Sequence, residues 1–138
     1  AKLKEFAASQ VGDDGRPLTE DPRFRDKLTR VEVELMALEI TNLRFLDTMR
    51  RTGQPPGADV SMLKIKGTEI QQSLTEIAMQ AVGPLAQPFA AVGDGKGFDE
   101  FTAGLAPRYC NFRKTTIYAG SNEIQRNILA KNVLELPG

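Results

Sequence analysis

Apolar residues recur at helical spacing along most of this chain, and no stretch alternates apolar and polar positions with β-branched enrichment between turns. The pattern predicts an all-α fold, an up-and-down bundle of three long helices with shorter flanking ones. Lys2 to Gln10 reads as the last turns of a helix, followed by a turn-rich loop from Val11 to Leu18. Pro22 suits a first helical position, and Thr19 or Asp21 can accept from the free amides beside it, so a second helix is expected to run to about Arg51. Along it Phe24, Leu28, Val31, Leu35 and Leu38 form one stripe. Val33, Met36, Ile40 and Leu43 form another, about 100° round the axis. Two adjacent apolar stripes imply a central bundle helix, a helix covered by another subunit, or a wide core face in a monomer.

Gly53-Gln54-Pro55-Pro56-Gly57 closes that helix, and Asp59 is a good N-cap for the next. In the third helix Val60, Leu63, Gly67, Ile70, Leu74, Ile77 and Ala81 keep heptad spacing, with Lys64, Lys66, Glu69, Gln72 and Glu76 mostly outside the seam. Gly67 on that seam suggests a neighbouring backbone too close for a side chain. Gly83-Pro84 stops the helix, and residues 83 to 97 read as a glycine- and proline-rich mobile connection. A fourth helix is expected from about Phe98 to Tyr118, with Phe101, Leu105, Tyr109 and Phe112 inward and a kink at Pro107. Gly120 ends it. The fifth begins at Ser121 or Asn122, where Asn122 and Gln125 have capping-box spacing, and runs to about Glu135.

Length bounds this to one domain, residues 1–138. The 18 lysines and arginines balance 18 aspartates and glutamates, so no field of one sign draws in nucleic acid or a membrane surface. No apolar run is long enough to span a bilayer and no signal peptide is evident, so the chain is expected to be cytoplasmic. Without histidine, a histidine-ligated zinc or di-iron centre and Ser/His/Asp chemistry are excluded. Cys110, the single cysteine, is expected to be a packed thiol beside Tyr109 and Phe112. The chain starts at Ala1 without methionine or a helix start signal, as a piece of something longer would.

One string carries most of the functional information: Tyr118-Ala119-Gly120-Ser121-Asn122-Glu123-Ile124-Gln125-Arg126, continuing Asn127-Ile128-Leu129-Ala130-Lys131 and closing with Val133-Leu134-Glu135-Leu136-Pro137. A glycine turn feeding a helix N-terminus gathers free amides and the positive end of the helix dipole, which suits an anion, although most such turns are simply capped helix starts. The full string resembles the C-terminal signature of acyl-CoA dehydrogenases. The Gly15-Arg16-Pro17-Leu18 loop, Leu63-Lys64 and Gln80-Ala81-Val82-Gly83 follow in that family's order. The chain is thus similar to the family's C-terminal helical domain, with the N-terminal helical and middle β domains expected elsewhere.

The resemblance implies FAD as cofactor and an acyl-CoA thioester as substrate of the full-length protein. It implies a homodimer or homotetramer, or a hetero-oligomer with a partner lacking the base, and an electron-transfer flavoprotein as electron acceptor. Gly120, Ser121 and Glu123 are the implied cofactor contacts. Gln80 and Gly83 match a turn that reaches a neighbouring subunit's FAD, with Pro84 replacing the second glycine. Of a further cofactor-binding segment, an arginine before Phe-Gly, Val11 to Gly15 keep only the glycine, and Arg16 is either a substitute for that arginine, its guanidinium pairing with a pyrophosphate, or a solvated loop residue. Where many members place the glutamate that removes the α-proton, this chain has Ala119, so no catalytic residue is expected here and the isolated piece is expected to be inactive. A non-catalytic helical assembly module derived from the family is the alternative.

Overall fold

The computed structural model describes residues 2–12, 14–89 and 100–137. It is an all-α helical bundle: α1 (Lys2–Ser9), α2 (Pro22–Thr52), α3 (Ser61–Val82), α4 (Glu100–Ala103), α5 (Leu105–Phe112) and α6 (Asn122–Asn132), with 3₁₀ turns at Leu18–Glu20, Ala58–Val60, Gly83–Ala86 and Arg113–Thr116. No strand occurs among the described residues, only an isolated bridge between Val11 and Pro17.

Two compact units divide the chain. The first comprises Ala1–Val31 and Gln72–Arg113. Its core joins Ala78, Ala86 and Leu105, with Leu3, Met79, Val82 and Phe101 packed against them. Phe6 and Phe101 stack with ring centroids 4.4 Å apart, an arrangement that adds to the burial of both rings. Phe24, Leu28 and Val31 of α2 are buried here, as their spacing predicts. Asp21 is the cap of α2, its carboxylate accepting from the Arg23 N–H at 2.8 Å. In the loop before it, Gly15 adopts φ 79°, and the Gly12 N–H donates to the Arg16 carbonyl at 2.7 Å. At the end of α5 the Arg113 guanidinium donates to the Gln72 carbonyl at 3.0 Å and the Thr75 hydroxyl at 3.1 Å, and lies over the Tyr109 ring.

The second unit comprises Glu32–Gln71 and Lys114–Gly138. Here Lys66 pairs with Glu69 at 3.2 Å and Glu34 at 3.7 Å, and Arg126 of α6 reaches Glu69 at 2.9 Å. The second stripe of α2 is uncovered: Val33, Met36, Ile40 and Leu43 are each more than half exposed. Of the first stripe, Leu35 is also exposed and Leu38 half-buried.

Several expectations are corrected. Gly67 faces no close backbone, since a Cβ there would meet the Leu38 side chain at an ordinary 3.9 Å. Asp59 lies inside the 3₁₀ turn that leads into α3 rather than at its cap. The expected fourth helix is broken at Gly104. Pro107 falls in the first turn of α5, where its missing N–H has no intrahelical partner to lose, so a fresh helix start replaces the expected kink. Helix α6 ends at Asn132 rather than Glu135, because Glu135 turns left-handed with φ 52° and the Leu134 and Leu136 amides fold back onto the Leu129 and Ala130 carbonyls. Cys110 is exposed, not packed. The start of the expected fourth helix at Phe98, and residues 90–97 of the expected connection, lie outside the described residues.

Candidate functional site

The string from Tyr118 to Arg126 builds a sharp corner in the second unit. The 3₁₀ turn at Arg113–Thr116 leads into Ala119 and Gly120, which take φ of 54° and 80° in succession. Two left-handed residues in a row reverse the chain and deliver it to α6. A side chain at Gly120 would also crowd Gln125, whose amide nitrogen lies 2.6 Å from the place of a Cβ. Ser121, extended at φ −61° and ψ 159°, is the N-cap of α6, and its hydroxyl accepts from the Ile124 N–H at 3.4 Å.

Glu123 stands exposed in the first turn. Its own backbone N–H, then the donating Ser121 hydroxyl, hold its carboxyl below the usual carboxylate range, with Arg126 and Lys64 adding attraction. A carboxylate there also answers the positive end of the helix. Gly120, Ser121 and Glu123 are thus brought together as one edge offering a hydroxyl, an ionised carboxylate and a backbone without a Cβ. Ala119, beside them, is exposed and contributes only a methyl group.

Asn122 takes a different part from the capping box its spacing suggested. Only 3% exposed, it points inward, where its carbonyl oxygen accepts from Lys64 Nζ at 2.7 Å and its amide donates to the Thr68 hydroxyl at 3.1 Å. Lys64 and Thr68 stand one helical turn apart on α3, so a single face of that helix grips the start of α6. The four-residue spacing of these two polar side chains is the sequence signal for such a grip; their partner, 54 residues beyond Thr68, is not.

Gln80 and Gly83 belong to the first unit, near the end of α3. Gln80 is exposed; its carbonyl oxygen accepts from Lys27 Nζ at 2.7 Å and its amide donates to Glu76 at 3.2 Å. Gly83 begins the 3₁₀ turn with φ 68° and open space where a Cβ would project. Arg16 is exposed beside Asp14 at 3.6 Å. A groove of about 540 Å³ in the second unit, lined by residues such as Phe45, Met49, Pro55 and Met62, includes none of the corner residues. Its charged lining is Arg44 and Asp59, neither of them in the Tyr118–Lys131 string, so the corner is the better candidate. Among the described residues there is no cluster of three potential metal ligands, and no helix is long and apolar enough to cross a membrane.

Comparison with known proteins adds an independent line. A family model for the acyl-CoA dehydrogenase C-terminal domain matches residues 6–134. The chain is 36% identical over 118 residues to acyl-CoA dehydrogenase IpdE1 of Mycobacterium tuberculosis, covering 86% of this chain and 28% of the relative. It is 35% identical to the protein of the same name from Mycolicibacterium smegmatis, covering 86% of this chain and 26% of that one. The chain therefore spans about a quarter of the length of the curated relatives it matches. Among solved structures, the ChsE4-ChsE5 complex from Mycobacterium tuberculosis has a chain with the same fold, at TM-score 0.77 and 24% identity, over 99% of this chain and 34% of that one.

Proposed function

Because the chain belongs to the acyl-CoA dehydrogenase family, as its C-terminal domain, we propose that it serves a full-length, flavin-dependent acyl-CoA dehydrogenase as one corner of the FAD site and as an assembly surface. Residues 1–138 form the C-terminal helical domain in this reading, and the rest of the catalytic apparatus lies in other parts of the polypeptide. The observation that carries it is the corner itself: within a string typical of the family, Ser121 and Glu123 stand side by side at the start of α6.

The donor set fits a dinucleotide. The Ser121 hydroxyl and the Glu123 carboxylate accept hydrogen bonds from ribityl or ribose hydroxyls, and Gly120 supplies the left-handed turn that sets both beside the ligand. Gln80 offers an exposed amide, with Lys27 fixing its carbonyl end, for the FAD of a neighbouring subunit, and Gly83 leaves room beside it. When bound, FAD supplies the hydride acceptor for oxidising the bond between the α and β carbons of an acyl-CoA thioester. Ala119 lines the space beside the thioester but cannot take the α-proton, so that proton goes to a carboxylate from outside this chain. The exposed stripe of Val33, Met36, Ile40 and Leu43 supports an oligomer, since a patch of this kind is covered when subunits pack together. An electron-transfer flavoprotein receives the electrons.

Flavin absorbance of the purified full-length protein tests the reading. Yellow protein bleached by an acyl-CoA supports it. A colourless protein that cannot be reconstituted with FAD sinks it in favour of the second reading, a non-catalytic assembly module, which the methyl group at Ala119 favours.

A further inference from the structure

Lys64 occupies an electrostatically awkward place. Its ammonium donates to Asn122, the first residue of α6, and so stands at the end of that helix where the dipole repels a cation. Lys66, two residues on, pairs with Glu69 and Glu34 instead. What Lys64 gains is a charge-assisted hydrogen bond of 2.7 Å to a side chain that is almost wholly buried.

That side chain sits between the two proposed cofactor contacts. Asn122 is the first residue of α6, so pinning it inward turns Glu123 about 100° away round the helix axis and holds in place the extended N-cap Ser121 joined directly to it. Thr68 completes the anchor: its hydroxyl donates to the Ile65 carbonyl and lies within hydrogen-bond distance of both ends of the Asn122 amide, at 3.1 and 3.3 Å. The Lys64 charge also helps keep the Glu123 carboxylate ionised, while its hydrogen bond goes to Asn122.

We propose that Lys64, acting through Asn122 and with Thr68 as the second anchor, is a positioning residue that sets the Ser121–Glu123 edge in the orientation that receives FAD. The inference rests on the cofactor reading above and goes beyond it: it names a residue that touches no cofactor yet decides how tightly the cofactor is held.

The test is an FAD titration of full-length apoprotein, followed by quenching of flavin fluorescence, in the parent and in Lys64→Met, Lys64→Arg and Lys66→Met. Lys64→Met should weaken FAD binding about tenfold or more, from the loss of a hydrogen bond to a charged group. Lys64→Arg keeps a charged donor and should recover most of that loss. Lys66→Met, which removes an equally long side chain and its ion pairs from the same helix, should bind within about twofold of the parent. At saturating FAD the turnover of Lys64→Met should return towards that of the parent. Affinity in Lys64→Met within threefold of the parent, or an equal loss in Lys66→Met, overturns the proposal. Should Lys64→Met not fold, Thr68→Val serves in its place, with a several-fold weakening expected and an unchanged affinity overturning the proposal. A parent that binds no FAD is a different outcome, and removes the cofactor reading itself.

Discussion

Ala119 and Gly120 share a left-handed backbone but differ by one methyl group, so substitutions at the two positions should have effects of opposite sign. An L side chain in that region costs about 1–2 kcal/mol, because its Cβ crowds the following carbonyl. Against this, glycine leaves the unfolded chain freer by about 0.4–1 kcal/mol relative to alanine. With φ at 54° for Ala119, the difference leaves Ala119→Gly stabilising by up to roughly 1.6 kcal/mol, with a middle value of about 0.8. Gly120→Ala loses the same backbone amount and meets an additional obstacle, the Gln125 amide nitrogen 2.6 Å from the new Cβ. That nitrogen ends a flexible side chain, so displacing it adds on the order of 0.5–1.5 kcal/mol, the scale of a rotamer penalty. The total for Gly120→Ala is about 0.5–3 kcal/mol. Gly15→Ala is the control, with φ 79° and nothing within 4 Å of the Cβ, and should show the backbone cost alone. Urea unfolding followed by helical circular dichroism reads all three as midpoint shifts at constant slope. A lower midpoint for Ala119→Gly, or a higher one for Gly120→Ala, would refute the left-handed pair.

Ile40→Glu places a charge in the middle of the exposed α2 stripe and should lower the oligomeric state of the full-length protein in sedimentation velocity; an unchanged assembly rejects the stripe as an interface. Ala119→Glu in the full-length protein should alter activity or chain-length preference in an acyl-CoA assay, and a variant indistinguishable from the parent would overturn the proposed place of Ala119 beside the thioester. The pKa of Glu123 is lowered on folding, so its stabilising contribution is present above the ordinary value of 4.5 and is lost as pH falls through the depressed folded value. Below that ordinary value the parent should therefore lose stability more steeply than Glu123→Gln, and equal acid profiles for the two would contradict the hydrogen bonds from Ser121 and the Glu123 amide. Lys66→Met should cost less than about 1 kcal/mol in the same unfolding assay, because its partners are half exposed to solvent.

The long helices were legible because their signals are local. Pro22 with Asp21 marks the start of α2, Gly53 its end, and the three-and-four spacing of Phe24, Leu28 and Val31 its buried face. Ser121 was legible as a helix start for the same reason. The misreadings involve choices that local pattern leaves open. Pro107 can kink a helix or begin one, and the neighbouring Gly104 tips it to the latter. Asn122 can cap a helix or fill its interior; the Lys64 ammonium and the Thr68 hydroxyl, from a distant part of the chain, draw it inward. Cys110 follows Tyr109 in sequence, but a one-residue step on a helix turns about 100° and carries the thiol to solvent. The family is legible in the Tyr118–Lys131 string alone, whereas the proposed roles of Ser121 and Glu123 depend on a ligand, which a local pattern does not encode.

A structure of the full-length protein with FAD bound is the most direct test of the corner at Gly120–Glu123. The Ser121 hydroxyl and the Glu123 carboxylate are expected within hydrogen-bond distance of the cofactor, with Asn122 turned inward onto Lys64. A structure in which that corner is sealed against protein, and no atom of FAD comes within reach of either side chain, would contradict the assignment.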